Sequence, residues 1–177
     1  VIFKNKSDHG NIDKMRLYLM NLLKANARLI ENGISIVYVI DGKYHKDEED
    51  SPIQVALKLF KILGFPIVES VCEAEGQASY MVSIGDAYAC ATQDYDSLLF
   101  GSDIVIRQLF DSKSDSVQMI RLKTFLKKND ITRDQLIDIA MIVGTDFNYG
   151  LTGIGIKTAL ELVKEYGSLQ NLVDQGI

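Results

Sequence analysis

Ile34-Ser-Ile-Val-Tyr-Val-Ile40-Asp41-Gly42 is a β-rich run that ends abruptly on an acid and a glycine, and the same event recurs along the chain. Before it, residues 13–31 place Leu19, Leu22, Leu23, Ala27 and Ile30 on one helical stripe, and Gly33 stops the helix. After the polar segment 43–50, Ser51-Pro52 opens a helix whose Ile53, Ala56, Leu57, Phe60 and Leu63 share a face, with Gly64 as its end. A second strand follows over 66–69. Ser70-Val-Cys-Glu73 has the spacing of a capping box and predicts a helix running from there to about Ile84. A third strand, 88–92, leads into Asp94-Tyr-Asp96. Such alternation predicts an α/β fold: a mostly parallel, twisted sheet with helices on both faces and its functional site at the carboxyl ends of the strands.

Downstream, 104–109 and 117–122 around the polar turn 111–116 read as an antiparallel hairpin on the sheet edge. Helices are expected near 123–129, 133–143 and 156–166, with a short one within 168–177. A chain of 177 residues that is 47% hydrophobic fits one domain with a real core. No apolar run approaches the roughly 18 residues of a membrane span, and no secretory signal is visible. Cys72 and Cys90 have neither metal-motif spacing nor enough company for a disulfide framework. The expected location is the cytoplasm of a prokaryote or the nucleus of a eukaryote.

Six acids stand at element ends in otherwise apolar or glycine-bounded surroundings: Asp41, Glu73, Glu75, Asp94, Asp96 and Asp146. Like charges packed this densely need protons or hard cations to offset them, and magnesium takes oxygen ligands while keeping several waters. All but Asp94 have a plainer reading on their own. Glu73 reads as a helix cap, Glu75 as a favourable charge at a helix start, Asp96 as the cap of a following turn, and Asp41-Gly42 and Asp146 as turn residues. Their recurrence at the ends of successive elements favours a shared metal site. The net charge is −5, and with those six acids set aside the other acidic residues nearly balance 19 Lys and Arg. Overall charge therefore does not exclude a polyanionic partner.

A second motif, Gly150-Leu-Thr-Gly153-Ile-Gly155-Ile-Lys157-Thr158, joins two predicted helices. Gly153 and Gly155 let backbone amides approach an anion, and Lys157 and Thr158 begin a helix whose positive end suits a phosphate. The alternative is a helical hairpin whose glycines serve packing. Lys123, Lys127, Lys128 and Lys164 are further candidate phosphate contacts.

Taken together, Val39-Ile-Asp41-Gly-Lys43, Glu73-Ala-Glu75-Gly-Gln-Ala, Thr92-Gln-Asp94-Tyr-Asp96-Ser-Leu-Leu-Phe-Gly101 and Leu136-Ile-Asp-Ile-Ala-Met-Ile-Val-Gly144-Thr-Asp146 with Gly153-Ile-Gly155-Ile-Lys157 resemble the flap endonuclease family of XPG-type structure-specific 5′ nucleases. The resemblance implies a PIN-like core over about 1–130 and a helix-two-turn-helix over about 131–177 that holds duplex DNA and a potassium ion. It implies a metal-ligand and catalytic role for all six acids, two magnesium ions with manganese as a substitute, and cleavage of DNA at flaps or junctions in replication and repair. In two-metal chemistry the ions lie about 3.5–4 Å apart, one activating water and the other neutralising the leaving oxygen. A monomer and a sliding-clamp partner, bound through a tail absent here, belong to the same expectation.

Two departures stand out. The family's upstream aspartate has no match before residue 13, Asp8 included, and only residues 43–51 occupy the place of the arch that clamps a 5′ flap. Competing readings are a haloacid-dehalogenase-type phosphatase, suggested by Asp94-Tyr-Asp96 but opposed by Leu98 and by the unexplained glutamates, and a DNA-binding module with an incomplete acid cluster. RNA as the substrate is not separable from DNA by sequence.

Overall fold

A computed structural model describes residues 12–42, 52–109 and 117–176. The arch region at 43–51, Asp8 and the hairpin turn at 111–116 lie outside the described residues. The chain begins with α1 (Ile12–Glu31), β1 (Tyr38–Ile40), α2 (Pro52–Ile62) and β2 (Ile67–Glu69). β1 and β2 pair in parallel, Val39 opposite Val68. The α2 stripe and one face of α1 converge on this pair, but α1 buries Leu22, Asn26 and Leu29, while Leu23, Ala27 and Ile30 of the expected stripe are exposed. Leu22, Ile53, Ala56, Leu57 and Phe60 bury themselves with Tyr38, and Phe60 stacks on the Tyr38 ring with centroids 3.7 Å apart. Tyr38 donates its hydroxyl to Asn26 Oδ1 at 2.7 Å, so its polar tip is satisfied inside the cluster.

α3 (Ala74–Ser83) leads to β3 (Cys90–Ala91), and the short α4 (Asp96–Leu99) to β4 (Ile104–Arg107). β3 and β4 are parallel, while β4 and β5 (Gln118–Arg121) form the expected antiparallel hairpin. The sheet departs from expectation in one respect. Among the described residues it is hydrogen-bonded as two sets, β1-β2 and β3-β4-β5. A cavity of about 550 Å³ is lined from both sets, by Tyr38 and Ile40 on one side and by Cys90 and Thr92 on the other. α3 spans the division by packing on both β1 and β3.

α5 (Leu122–Asn129) closes the second sheet through Leu122, which packs with Leu98 and Val105. α6 (Arg133–Val143), α7 (Ile156–Tyr166) and α8 (Leu169–Asp174) then form a helical unit around Ile142, Ala159, Val163 and Leu172. α6 starts on a true capping box: Thr132 Oγ1 accepts from Gln135 N–H, and the Gln135 side chain accepts from Thr132 N–H. Arg133 ties the unit to α4 by donating to Leu99 O at 2.9 Å. Among the described residues no helix is long and apolar enough to cross a membrane.

Candidate metal and nucleic-acid site

Asp41 leaves the carboxyl end of β1, and Gly42 decides where it goes. Gly42 N–H donates to Cys72 O at 3.3 Å, in a backbone crossing so tight that a β-carbon on Gly42 would lie 2.3 Å from Ser70 O. The crossing brings the Asp41 carboxylate onto the start of α3, where Oδ1 accepts from Ala74 N–H at 2.5 Å. Ser70 therefore does not cap this helix, contrary to its spacing. Its hydroxyl turns to Cys72 O at 3.0 Å, and the helix begins at Ala74 with Glu73 in the flanking position, itself making no side-chain cap. Asp41 supplies from another strand the acceptor that a local cap would have supplied.

This arrangement resolves a geometric difficulty. Side chains two apart on a regular helix diverge by about 200°, so Glu73 and Glu75 would face apart. Glu73 is instead extended, at φ −94° and ψ 134°, and only Glu75 lies in the first turn. One carboxylate oxygen from each of Asp41, Glu73 and Glu75 can lie within 4.8 Å of the others, a donor set that a divalent cation can occupy. Burial raises the Glu75 carboxyl above the usual range, and the charges of Asp41 and Asp94 push the same way against a backbone hydrogen bond that lowers it.

Thr92, buried just after β3, connects this trio to the second pair of acids. Its hydroxyl donates to Glu75 Oε1 at 3.4 Å and accepts from Asp94 N–H at 3.1 Å. Asp94 Oδ1 in turn accepts from Asp96 N–H at 3.3 Å, a local turn bond. Asp96 makes no cap; it is the first residue of α4. Its carboxyl is raised by burial, then by Asp94 and Asp146. Asp146 sits exposed in the turn between α6 and α7, outside the tight trio but near enough to Asp96 to be felt. The structure thus gathers Asp41, Glu73 and Glu75, links Asp94 and Asp96 to them through Thr92, and leaves Asp146 in the α6–α7 turn outside the trio.

Two participants carry no sequence signal of their own. Thr92 is an ordinary strand residue until its partners are known. Arg107, at the end of β4, stacks 4.0 Å over the Tyr95 ring between the two aspartates.

The turn from α6 to α7 is built on backbone contact. Gly144 has φ 105° and Gly150 φ 59°, and a β-carbon on Gly150 would lie 2.4 Å from Val143 C. Thr145 and Asn148 close the turn by a 2.8 Å side-chain bond, and Asn148 Nδ2 donates to Met141 O at 2.7 Å. Gly153, Gly155, Lys157 and Thr158 are all exposed, with Gly155 flanking the first residue of α7. Amides, helix dipole and lysine therefore face solvent at one point, a surface suited to a phosphate.

The fold is a PIN-like α/β core. Residues 64–146 match the XPG I-region family model. The flap endonuclease 1 of Methanosphaera stadtmanae is 47% identical over 124 residues, covering 69% of this chain and 38% of that protein. The flap endonuclease 1 of Methanobrevibacter smithii is 36% identical over 204 residues, 92% of this chain and 61% of that protein. Those 204 positions exceed the 177 residues of the chain, so the relative holds residues inside the matched stretch that this chain does not. Among solved structures, flap endonuclease-1 from Methanococcus jannaschii superposes with a TM-score of 0.78 at 30% identity, over 89% of this chain and 62% of that one. The Rad2 catalytic core with DNA reaches 0.80 at 24% identity, over 93% and 57%, a likeness of fold. Over residues 64–146 the chain carries the XPG I-region, and over most of its length it is similar to flap endonucleases. It spans at most about three fifths of their length.

Proposed function

We propose that the whole protein is a structure-specific 5′ nuclease that hydrolyses DNA phosphodiesters at flaps or single-strand to double-strand junctions. The observation that carries this reading is the convergence of Asp41, Glu73 and Glu75 on one small volume, with Asp94 and Asp96 linked to it through Thr92. Two magnesium ions, or manganese in their place, would be held by these acids and Asp146, and would supply an activated water and neutralisation of charge on the leaving oxygen. Asp41 Oδ1 is held by Ala74 N–H and Asp94 Oδ1 by Asp96 N–H, and the carboxylates supply charge and placement rather than a covalent nucleophile. The exposed start of α7, with Gly153, Gly155, Lys157 and Thr158, holds the duplex by its phosphates without reading sequence. A potassium ion in the α6–α7 turn, a monomeric state, a sliding-clamp partner and a cytoplasmic or nuclear location complete the family expectation.

The phosphatase reading is set aside. It leaves Glu73 and Glu75 without a role, and the relatives that match this chain are flap endonucleases. The deciding assay offers the full-length protein labelled flap, nicked, single-stranded and hairpin DNA with magnesium or with EDTA. Magnesium-dependent cutting near the junction supports the proposal. Flap binding without cutting would identify a DNA-binding module instead.

A further inference from the structure

We propose that Arg107 is a positioning residue for the acid turn Gln93–Asp96, an inference that rests on the carboxylates being a cation site. Arg107 ends β4, and its cross-strand partner on β5 is Gln118, whose Oε1 accepts from Arg107 Nη1 at 3.3 Å. Anchored there, the guanidinium reaches over the neighbouring turn. Nε donates to Gln93 O at 3.2 Å, Nη1 donates to the Tyr95 hydroxyl, and the plane lies 4.0 Å from the Tyr95 ring centroid. Gln93 and Tyr95 flank Asp94, so one side chain grips the chain on both sides of that carboxylate. From inside, the turn is held by Thr92 and by Asp94 itself, whose Oδ1 accepts from Asp96 N–H. A cation drawing on Asp94 competes with that internal bond, and a clamp from the hairpin keeps the turn in place when it does. A lysine would keep the charge but not the planar fork or the stack.

A simpler account is that Arg107 only offsets negative charge. The two accounts predict opposite signs. A compensating cation repels a metal, so removing it would tighten metal binding, whereas removing a clamp loosens the ligands and weakens binding. Manganese binding to the full-length protein is measured by calorimetry for wild type, Arg107→Gln, Arg107→Lys and Tyr95→Phe, with thermal melts as a check of folding. The expected loss for Arg107→Gln is about tenfold, the scale on which groups that orient metal ligands act. Arg107→Lys follows it, and Tyr95→Phe shows a smaller loss in the same direction. In flap cleavage kcat falls while KM for DNA holds. Unchanged or tighter manganese binding by folded Arg107→Gln overturns the proposal; if that variant does not fold, unchanged binding by Tyr95→Phe does so. Wild type that binds manganese yet cuts no DNA would defeat the nuclease reading and leave this inference standing on the metal data.

Discussion

Gly42 and Ser70 cross so closely that the missing side chain of one makes room for the carbonyl of the other, at 2.3 Å from where a β-carbon would stand. Gly42→Ala must push the two backbones apart. Because Asp41 precedes the crossing and is bonded to Ala74 N–H beyond it, the displacement falls on the acid trio. The expected result is a stability loss of about 1–3 kcal/mol, seen as a lower melting midpoint, with weaker manganese binding in calorimetry.

Asp94→Ala and Asp96→Ala should each abolish cleavage of flap DNA while binding of the same DNA, read by fluorescence anisotropy, persists. On the proposed reading these acids hold the cation and leave the duplex grip to the start of α7. Robust magnesium-dependent cutting by both variants would remove them from the site.

The raised carboxyls of Glu75 and Asp96 carry a signed consequence. Both hold protons to higher pH in the fold than in the unfolded chain, so without metal the folded state binds more protons and stability falls as pH rises. The fall begins above the ordinary values of 4.5 for Glu and 3.8 for Asp and continues through the raised ones. In EDTA, Glu75→Gln should therefore melt at or above wild type near neutral pH and lose part of this slope. Magnesium should stabilise wild type more than the variant.

Two glycines of the α6–α7 turn should respond differently to alanine. Both have positive φ, but a β-carbon on Gly150 meets Val143 at 2.4 Å whereas one on Gly153 meets nothing within 4 Å. Gly153→Ala should cost only the left-handed strain of about 1–2 kcal/mol. Gly150→Ala adds a backbone clash and should lower the melting midpoint further. Denaturant melts of the two variants side by side make the comparison.

Lys157 stands exposed in the first turn of α7. If it contacts phosphate, Lys157→Ala should weaken binding to flap and duplex DNA alike and reduce the slope of log affinity against log salt by about 1. A titration over several salt concentrations measures both.

The helical unit was legible in the sequence almost residue by residue, because each signal there is local. The helices expected near 133–143 and 156–166 match α6 and α7, although the capping box of Thr132 and Gln135 that starts α6 was not marked in the sequence. The start of α3 was misread for the opposite reason. Ser70 has the right spacing to cap, but Gly42 brings in Cys72 O and Asp41 from across the sheet, and that contact outweighs the local preference. Asp41, Asp94 and Asp96 were recognisable as acids at strand ends. Thr92 and Arg107 were not, since Thr92 acquires meaning only beside Glu75, 17 residues away, and Arg107 only beside Tyr95, 12 away. The division of the sheet was equally invisible, because apolar alternation marks a strand without saying which neighbour it will bond.

Asp146 stands on the helical unit and the other five acids on the sheet side, with the Arg133–Leu99 hydrogen bond joining the two halves. On the proposed reading, a cation held by acids from both halves would also fasten them together, so adding magnesium should raise the melting midpoint of wild type more than that of Asp146→Ala.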